Sequence, residues 1–141
     1  MAVVARYLLD TSAAARVPHR QVADRVVPLL SAGLLATCAA LDLEALYSAR
    51  SPREYRDVRT DRRLAYEYLP TEDEDWQRAL AVQAALAEAG RWRGVGLADL
   101  VIGAVAERHR VTVLHYDGDY DSVAAVTGQR TEWVVPAGSV P

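Results

Sequence analysis

The stretch "VTVLHYDGDYD", residues 111–121, runs from a short apolar segment straight into three aspartates within five positions. An apolar run rich in β-branched residues and lacking polar alternation reads as a strand buried on both faces. "VVARYLLD", residues 3–10, has the same character and likewise ends in an aspartate, Asp10. Helical patterns separate and follow these runs, and strands alternating with helices argue for a parallel sheet covered by helices on both faces. In open parallel sheets ligands gather outside the carboxyl ends of the strands. Asp10 and Asp117, far apart in the chain, are therefore expected on one edge of one sheet.

The remaining elements follow from local signals. "QVADRVVPLLSAG" (21–33) reads as a helix that Pro28 either kinks or ends. Leu34–Ala36 reads as a brief strand, with Thr37 expected to cap a helix running to about Ala49. Ser51-Pro52-Arg53-Glu54 and Thr71-Glu72-Asp73-Glu74 both carry capping-box logic, and the second helix is expected to stop at Gly90. "WRGVG" (92–96) reads as a loop, and "LADLVIGAVAERHR" (97–110) as an apolar helix with basic residues in its last turn. A short helix over Ser122–Thr127, capped by Asp121, and a strand near Glu132–Val135 complete the pattern. No composition break divides the 141 residues, so one domain over 1–141 is expected.

Composition narrows the function classes. No apolar stretch approaches the roughly 18–20 residues needed to cross a bilayer, and "MAVVARYLLD" carries neither a basic leader nor a cleavage site. The single cysteine, Cys38, excludes an internal disulfide, and a cytoplasmic setting is expected. Net charge is only −3, which gives no field that proclaims nucleic acid or membrane as a partner. All 16 basic residues are arginine, planar donors suited to phosphate or carboxylate. The arginine-rich stretch "REYRDVRTDRR" (53–63) reads as a solvated face, with Arg53 and Asp57 at helical pair spacing. "TEDED" (71–75) reads as acids placed in a first turn to suit the helix dipole. His19, His109 and His115 lack zinc-site spacing, and "RGVGLAD" holds too few glycines for a phosphate cradle.

Each remaining acid has a bland reading beside its chemical one. Asp10 before Thr11-Ser12 suits a turn or a helix cap, and Asp99 in the first turn of an apolar helix suits the dipole, although its neighbours are apolar. Glu44 lies in a helix that is apolar nearly all round, where a carboxylate is costly unless paired, protonated or bound to a cation. Asp42 is its rival, and periodicity does not choose between them. Asp119 is a turn residue or a further ligand. The converging set is Asp10, Glu44, Asp99 and Asp117, with Asp119 as a fifth. Carboxylates crowded together without histidine or thiolate favour Mg²⁺ or Mn²⁺. Ions held in this way activate water against a phosphodiester, which makes nuclease the natural reaction class.

"YLLDTSA", the glutamate of "LDLEALYSAR", "LADLVIGAVAERH" and "VLHYDGDYDSVAAVTGQRTEWV", in that order, resemble the PIN domain, specifically the VapC-type toxins of bacterial toxin–antitoxin pairs. The resemblance spans nearly the whole chain. It implies a three-layer α/β/α sandwich with a central, mainly parallel sheet, and a Mg²⁺- or Mn²⁺-dependent endoribonuclease leaving 5′-phosphate and 3′-hydroxyl ends. It also implies a homodimer and a VapB-type antitoxin as cognate partner. The family's acids fall on Asp10, Glu44 (in preference to Asp42), Asp99 and Asp117, with Asp119 matching a further acid and Thr11 and Ser12 the hydroxyl pair. The usual "DFD" reads "DYD" here, with Tyr120 as the aromatic. On this basis Asp10, Asp99 and Asp117 are expected to bind the ion directly. Glu44 helps hold it or the water, Asp119 takes a second, weaker ion, and Ser12 orients the acids. Arg50, Arg91 and Arg93 are candidates for the basic rim that an RNA phosphate requires beside so many acids.

Rivals fit less well. A receiver domain needs a lysine, which the chain lacks, and a haloacid-dehalogenase-like phosphatase wants an aspartate where Ser12 stands. A non-catalytic interaction module, whose acidic pocket docks an arginine-bearing partner, is the alternative of a different class.

Overall fold

A computed structural model describes residues 2–141. Its five strands, β1 (Tyr7–Leu9), β2 (Leu35–Thr37), β3 (Glu67–Tyr68), β4 (Thr112–His115) and β5 (Thr131–Trp133), form one sheet in the order β3-β2-β1-β4-β5. Every pairing is parallel. The helices are α1 (Thr11–Ala14), α2 (Arg20–Ser31), α3 (Ala39–Tyr47), α4 (Pro52–Ala65), α5 (Asp73–Glu88), α6 (Leu97–His109) and α7 (Asp119–Thr127).

Register explains the layers. Leu8 lies opposite both Ala36 and Val113, and Leu9 opposite Leu114. Side chains alternate between faces with period two, so Leu8, Ala36 and Val113 share one face, against Leu41 of α3, Val82 and Leu86 of α5, Ile102 of α6 and Val123 of α7. Leu9, Leu35 and Leu114 share the other, against Ala13 of α1 and Val22 and Val26 of α2. The result is the expected α/β/α sandwich. The chain adds strands on one side of β1 and then returns to add β4 and β5 on the other. The carboxyl ends of β1 and β4 therefore flank a topological switch point, where a crevice opens by construction.

Several local expectations shift. β3 has only two residues and no apolar run to announce it, yet Glu67 is fixed there. Its Oε1 accepts from the backbone N–H groups of Val4 and Ala5 at 3.0 and 2.8 Å. Thr37 is the last residue of β2 and not a cap. Its hydroxyl donates to Asp42 at 2.8 Å and accepts from Arg62 at 3.0 Å, while Cys38 holds the cap position of α3. Pro28 falls in the last turn of α2, where the missing N–H costs one bond near an end that frays anyway. α5 is capped at Glu72 rather than Thr71, with the Asp75 carboxylate accepting from the Glu72 N–H at 2.9 Å. α7 begins at Asp119, so Asp121 lies inside its first turn and accepts from the Trp133 indole at 3.1 Å. The Arg53–Asp57 pair does not form among the described residues; Arg50 meets Glu54 at 3.4 Å instead. No described helix is long and apolar enough to cross a membrane.

The end of the chain folds back onto the sheet. The Tyr116 hydroxyl donates to the Val140 carbonyl at 2.8 Å and accepts from the Val140 N–H at 3.1 Å. Arg16 stacks 4.5 Å from the Tyr116 ring centroid and donates to the Pro141 carbonyl at 3.0 Å.

Asp75 departs most from its sequence reading, being 1% exposed where a solvated first-turn acid was expected. Arg108 of α6 grips it with two bonds of 2.8 and 2.9 Å and donates a third, of 2.7 Å, to the Pro70 carbonyl. The pair clamps α5 to α6. Burial works to raise the Asp75 pKa, but hydrogen bonds from Arg108 and Glu72 and the Arg108 charge outweigh it, and the net shift is downward. A depressed folded pKa stabilises the fold above the ordinary value of 3.8 and loses that contribution as pH falls through the folded value. Asp75→Ala is expected to cost about 3 kcal/mol, since it leaves the guanidinium partly buried and unpaired. Asp75→Asn should flatten the acid limb of stability, and urea denaturation across the acid range measures both.

Candidate metal centre

Asp10 follows β1 directly, and its N–H donates to the Leu114 carbonyl at 3.0 Å, so the two central strands fix its backbone. It is buried (4% exposed) and does cap α1, its Oδ2 accepting from the Ser12 N–H at 3.0 Å. The same oxygen accepts from the Ser12 hydroxyl at 2.5 Å, and that hydroxyl accepts in turn from the Tyr116 N–H at 2.9 Å. Capping and chemistry are thus not rivals at this position. Asp10 Oδ1, the other oxygen, accepts from the Tyr120 hydroxyl at 2.7 Å.

Asp99 sits in the first turn of α6, half-buried, with its Oδ1 3.3 Å from that same Tyr120 hydroxyl. Asp117 leaves the end of β4. Its N–H donates to His115 Nδ1 at 3.1 Å, and its Oδ1 accepts from the Asp119 N–H at 2.9 Å. Asp119 opens α7 and accepts weakly from the Gly96 N–H at 3.4 Å. One oxygen each from Asp99, Asp117 and Asp119 lie within 4.8 Å of one another. Glu44, on α3, accepts from the Thr11 hydroxyl at 3.3 Å and feels the charge of Asp10. Asp42 has a separate task, since it pairs with Arg62 at 2.8 Å. The five acids singled out from sequence therefore gather at one sheet edge. The tightest convergence is Asp99, Asp117 and Asp119, with Asp10 joined to it through Tyr120.

Electrostatics set these acids against one another. Burial, then the charges of Asp10, Asp117 and Asp119, push the Asp99 pKa up to about 7, partly offset by the Tyr120 hydroxyl. Burial and then Asp10 raise Glu44 as well. Among the described residues no arginine or histidine forms an ion pair with any of these acids. Half-buried carboxylates sharing a pocket need either protons or a cation. An all-oxygen donor set suits a hard divalent ion, and the residues present fit one.

Two residues at the site had no role in the sequence reading. His115 is fully buried, its ring centroid 4.9 Å from that of Tyr120 and 5.1 Å from that of Trp133. Its Nδ1 accepts the Asp117 N–H, which puts the ring proton on Nε2, a buried atom that meets no partner among the described residues. Burial lowers its pKa, in keeping with a neutral ring. Tyr120 is the other, and only its unusual hydroxyl within "DYD" signalled it. Of the expected rim arginines, Arg50 is engaged with Glu54, and Arg93 lies over the Trp92 ring at 5.3 Å. Arg91 is exposed and shares with Arg93 the loop that leads into α6.

The PIN domain family matches residues 7–126 of the chain. The chain belongs to that family. This PIN domain is 48% identical over 134 residues to ribonuclease VapC21 of Mycobacterium tuberculosis, covering 95% of this chain and 97% of the relative. It is 41% identical to ribonuclease VapC51 of the same organism, covering 96% and 97%. Among solved structures its fold matches VapBC2 from Rickettsia felis bound to a promoter DNA fragment, with TM-score 0.71 at 13% identity and coverage of 90% and 98%. It also matches VapBC-5 from Mycobacterium tuberculosis, with TM-score 0.54 at 25% identity and coverage of 92% and 97%. PIN nucleases use divalent metal ions, and this PIN domain carries an acid cluster suited to one.

An acid whose folded pKa lies above its unfolded value destabilises the fold as pH rises from the unfolded value to the folded one. For Asp99 that window runs from 3.8 to about 7. Metal-free Asp99→Asn is therefore expected to be more stable than wild type near neutral pH, by about 1–2 kcal/mol once solvent screening of this half-buried group is allowed for. The advantage should vanish near about pH 4. Urea denaturation in EDTA at the two pH values checks it.

Proposed function

We propose that this PIN domain is the endoribonuclease toxin of a VapBC-type pair, hydrolysing RNA phosphodiesters with Mg²⁺ or Mn²⁺ at the acid edge of the sheet. The observation that carries this reading is the convergence of Asp99, Asp117 and Asp119 at a switch-point crevice, with no cation paired to them among the described residues. The relatives named ribonuclease VapC support the reaction, and the VapBC assemblies of the same fold support an antitoxin partner. Homodimerisation and a cytoplasmic setting, where the RNA is, belong to the same proposal.

A bound ion of this kind supplies Lewis acidity and lowers the pKa of a water beside it. Asp10, Asp99, Asp117 and Asp119 would hold the ion, the last three with converging oxygens. Asp119 would also take a second, weaker ion. Glu44 keeps one oxygen on Thr11 and would use the other to hold the ion or the attacking water, its raised pKa suiting it to receive a proton. Ser12 and Thr11 hold the Asp10 and Glu44 carboxylates in orientation. Arg91 and Arg93, in the loop before Asp99, and Arg50, beyond the end of α3, bind phosphates flanking the scissile one and offset the acids' repulsion.

Purified protein free of antitoxin is expected to cleave a total-RNA pool with Mg²⁺ or Mn²⁺ and to stop in EDTA. Asp99→Asn and Asp117→Asn should each lower cleavage by about 100-fold or more. A folded wild type that cuts nothing under either ion would overturn the nuclease reading and leave the arginine-docking module in its place.

A further inference from the structure

We propose that Tyr120 is a positioning residue of the metal centre, its hydroxyl holding the Asp10 and Asp99 carboxylates in the geometry that receives the ion. The inference rests on the metal-dependent reading above. Tyr120 is fully buried, in the core beneath the sheet edge, with its ring against His115. Such a side chain cannot swing out to solvent, so its hydroxyl stays where the fold puts it. That place is between two acids, 2.7 Å from Asp10 Oδ1 and 3.3 Å from Asp99 Oδ1.

Asp10 shows what the hydroxyl adds. Ser12 already holds Oδ2 with its N–H and its hydroxyl. With Tyr120 on Oδ1, the carboxylate is gripped at both oxygens and cannot rotate about its own bond. Oδ2 is fully engaged by its two bonds from Ser12, and Oδ1 keeps a lone pair for other use. Tyr120 also donates its backbone N–H to the Asp117 carbonyl at 3.2 Å. One residue therefore touches Asp10 after β1, Asp99 of α6 and, through a local turn bond, Asp117 after β4.

The chemistry of the donor matters. An arginine in this position would fix the acids equally well but would cancel the charge that draws a cation. A phenol is neutral: it orients the carboxylates and leaves the pocket negative. Phenylalanine, usual at this position in the pattern the sequence resembles, supplies the packing without the hydrogen bonds. The hydroxyl is thus separable from the ring by a single isosteric change.

The test is Tyr120→Phe, read by Mn²⁺ binding in full-length, antitoxin-free protein, using electron paramagnetic resonance of free Mn²⁺. The expected result is a folded protein that binds Mn²⁺ about 10-fold more weakly, the scale on which residues that orient ligands act. Its cleavage of RNA should recover at saturating Mn²⁺ with KM for RNA unchanged. Equal Mn²⁺ affinity in the two proteins would overturn the positioning role while leaving the nuclease reading intact. A wild type that binds no Mn²⁺ would overturn both. Should Tyr120→Phe fail to fold, wild type itself is titrated with Mn²⁺ and followed by near-ultraviolet tyrosine absorption. A saturable change is then expected, because the acceptors of the hydroxyl become ligands, and a flat response would overturn the role.

Discussion

Five carboxylates held together at the end of a sheet repel one another, and much of the surrounding structure is arranged around that repulsion. Each acid is restrained by neutral donors: the Ser12 hydroxyl and N–H on Asp10, the Thr11 hydroxyl on Glu44, the Asp119 N–H on Asp117, the Gly96 N–H weakly on Asp119 and the Tyr120 phenol between Asp10 and Asp99. None of these removes charge. Crowding of this kind is uphill for the bare fold and favourable only when a cation joins it. The raised pKa of Asp99 reflects that cost, and on the metal-dependent reading the gain is affinity for an ion.

The arginines complete the division of labour. Where they meet acids they do so away from this edge, Arg62 on Asp42, Arg108 on Asp75, Arg78 on Glu107 and Arg25 on Glu132. Some of these pairs knit helix to helix. A chain with sixteen guanidinium groups could have neutralised its own pocket. Instead the positive charge is spent on the scaffold, and the pocket stays open to an ion from solution.

The parts of this architecture legible in sequence are those set by local chemistry. Continuous apolar runs ending in aspartate pointed to central parallel strands, and the edge they define did gather the acids. What escaped depended on contacts between remote residues. Asp75 looks like any first-turn acid until Arg108 arrives from 33 positions away. Thr37 has the chemistry of a cap, but β2 claims it and Arg62 and Asp42 use its hydroxyl. β3 owes its existence to pairing at the sheet edge and has no pattern of its own. Periodicity does not separate Asp42 from Glu44; in the fold Asp42 pairs with Arg62, while Glu44 feels the charge of Asp10. Tyr120 could be read as an aromatic for the core, and it is one; only three-dimensional placement shows where its hydroxyl ends.

The return of the chain terminus to Tyr116 has a reach beyond packing. The Tyr116 side chain holds Val140 at both backbone polar atoms, while its own N–H grips Ser12, and Ser12 grips Asp10. Mechanically, the tail and the first acid are two ends of one short linkage. A change that displaced Val140 would thus reach Asp10 through Tyr116 and Ser12, which makes the firmness of the pocket partly a property of residues far from it in sequence.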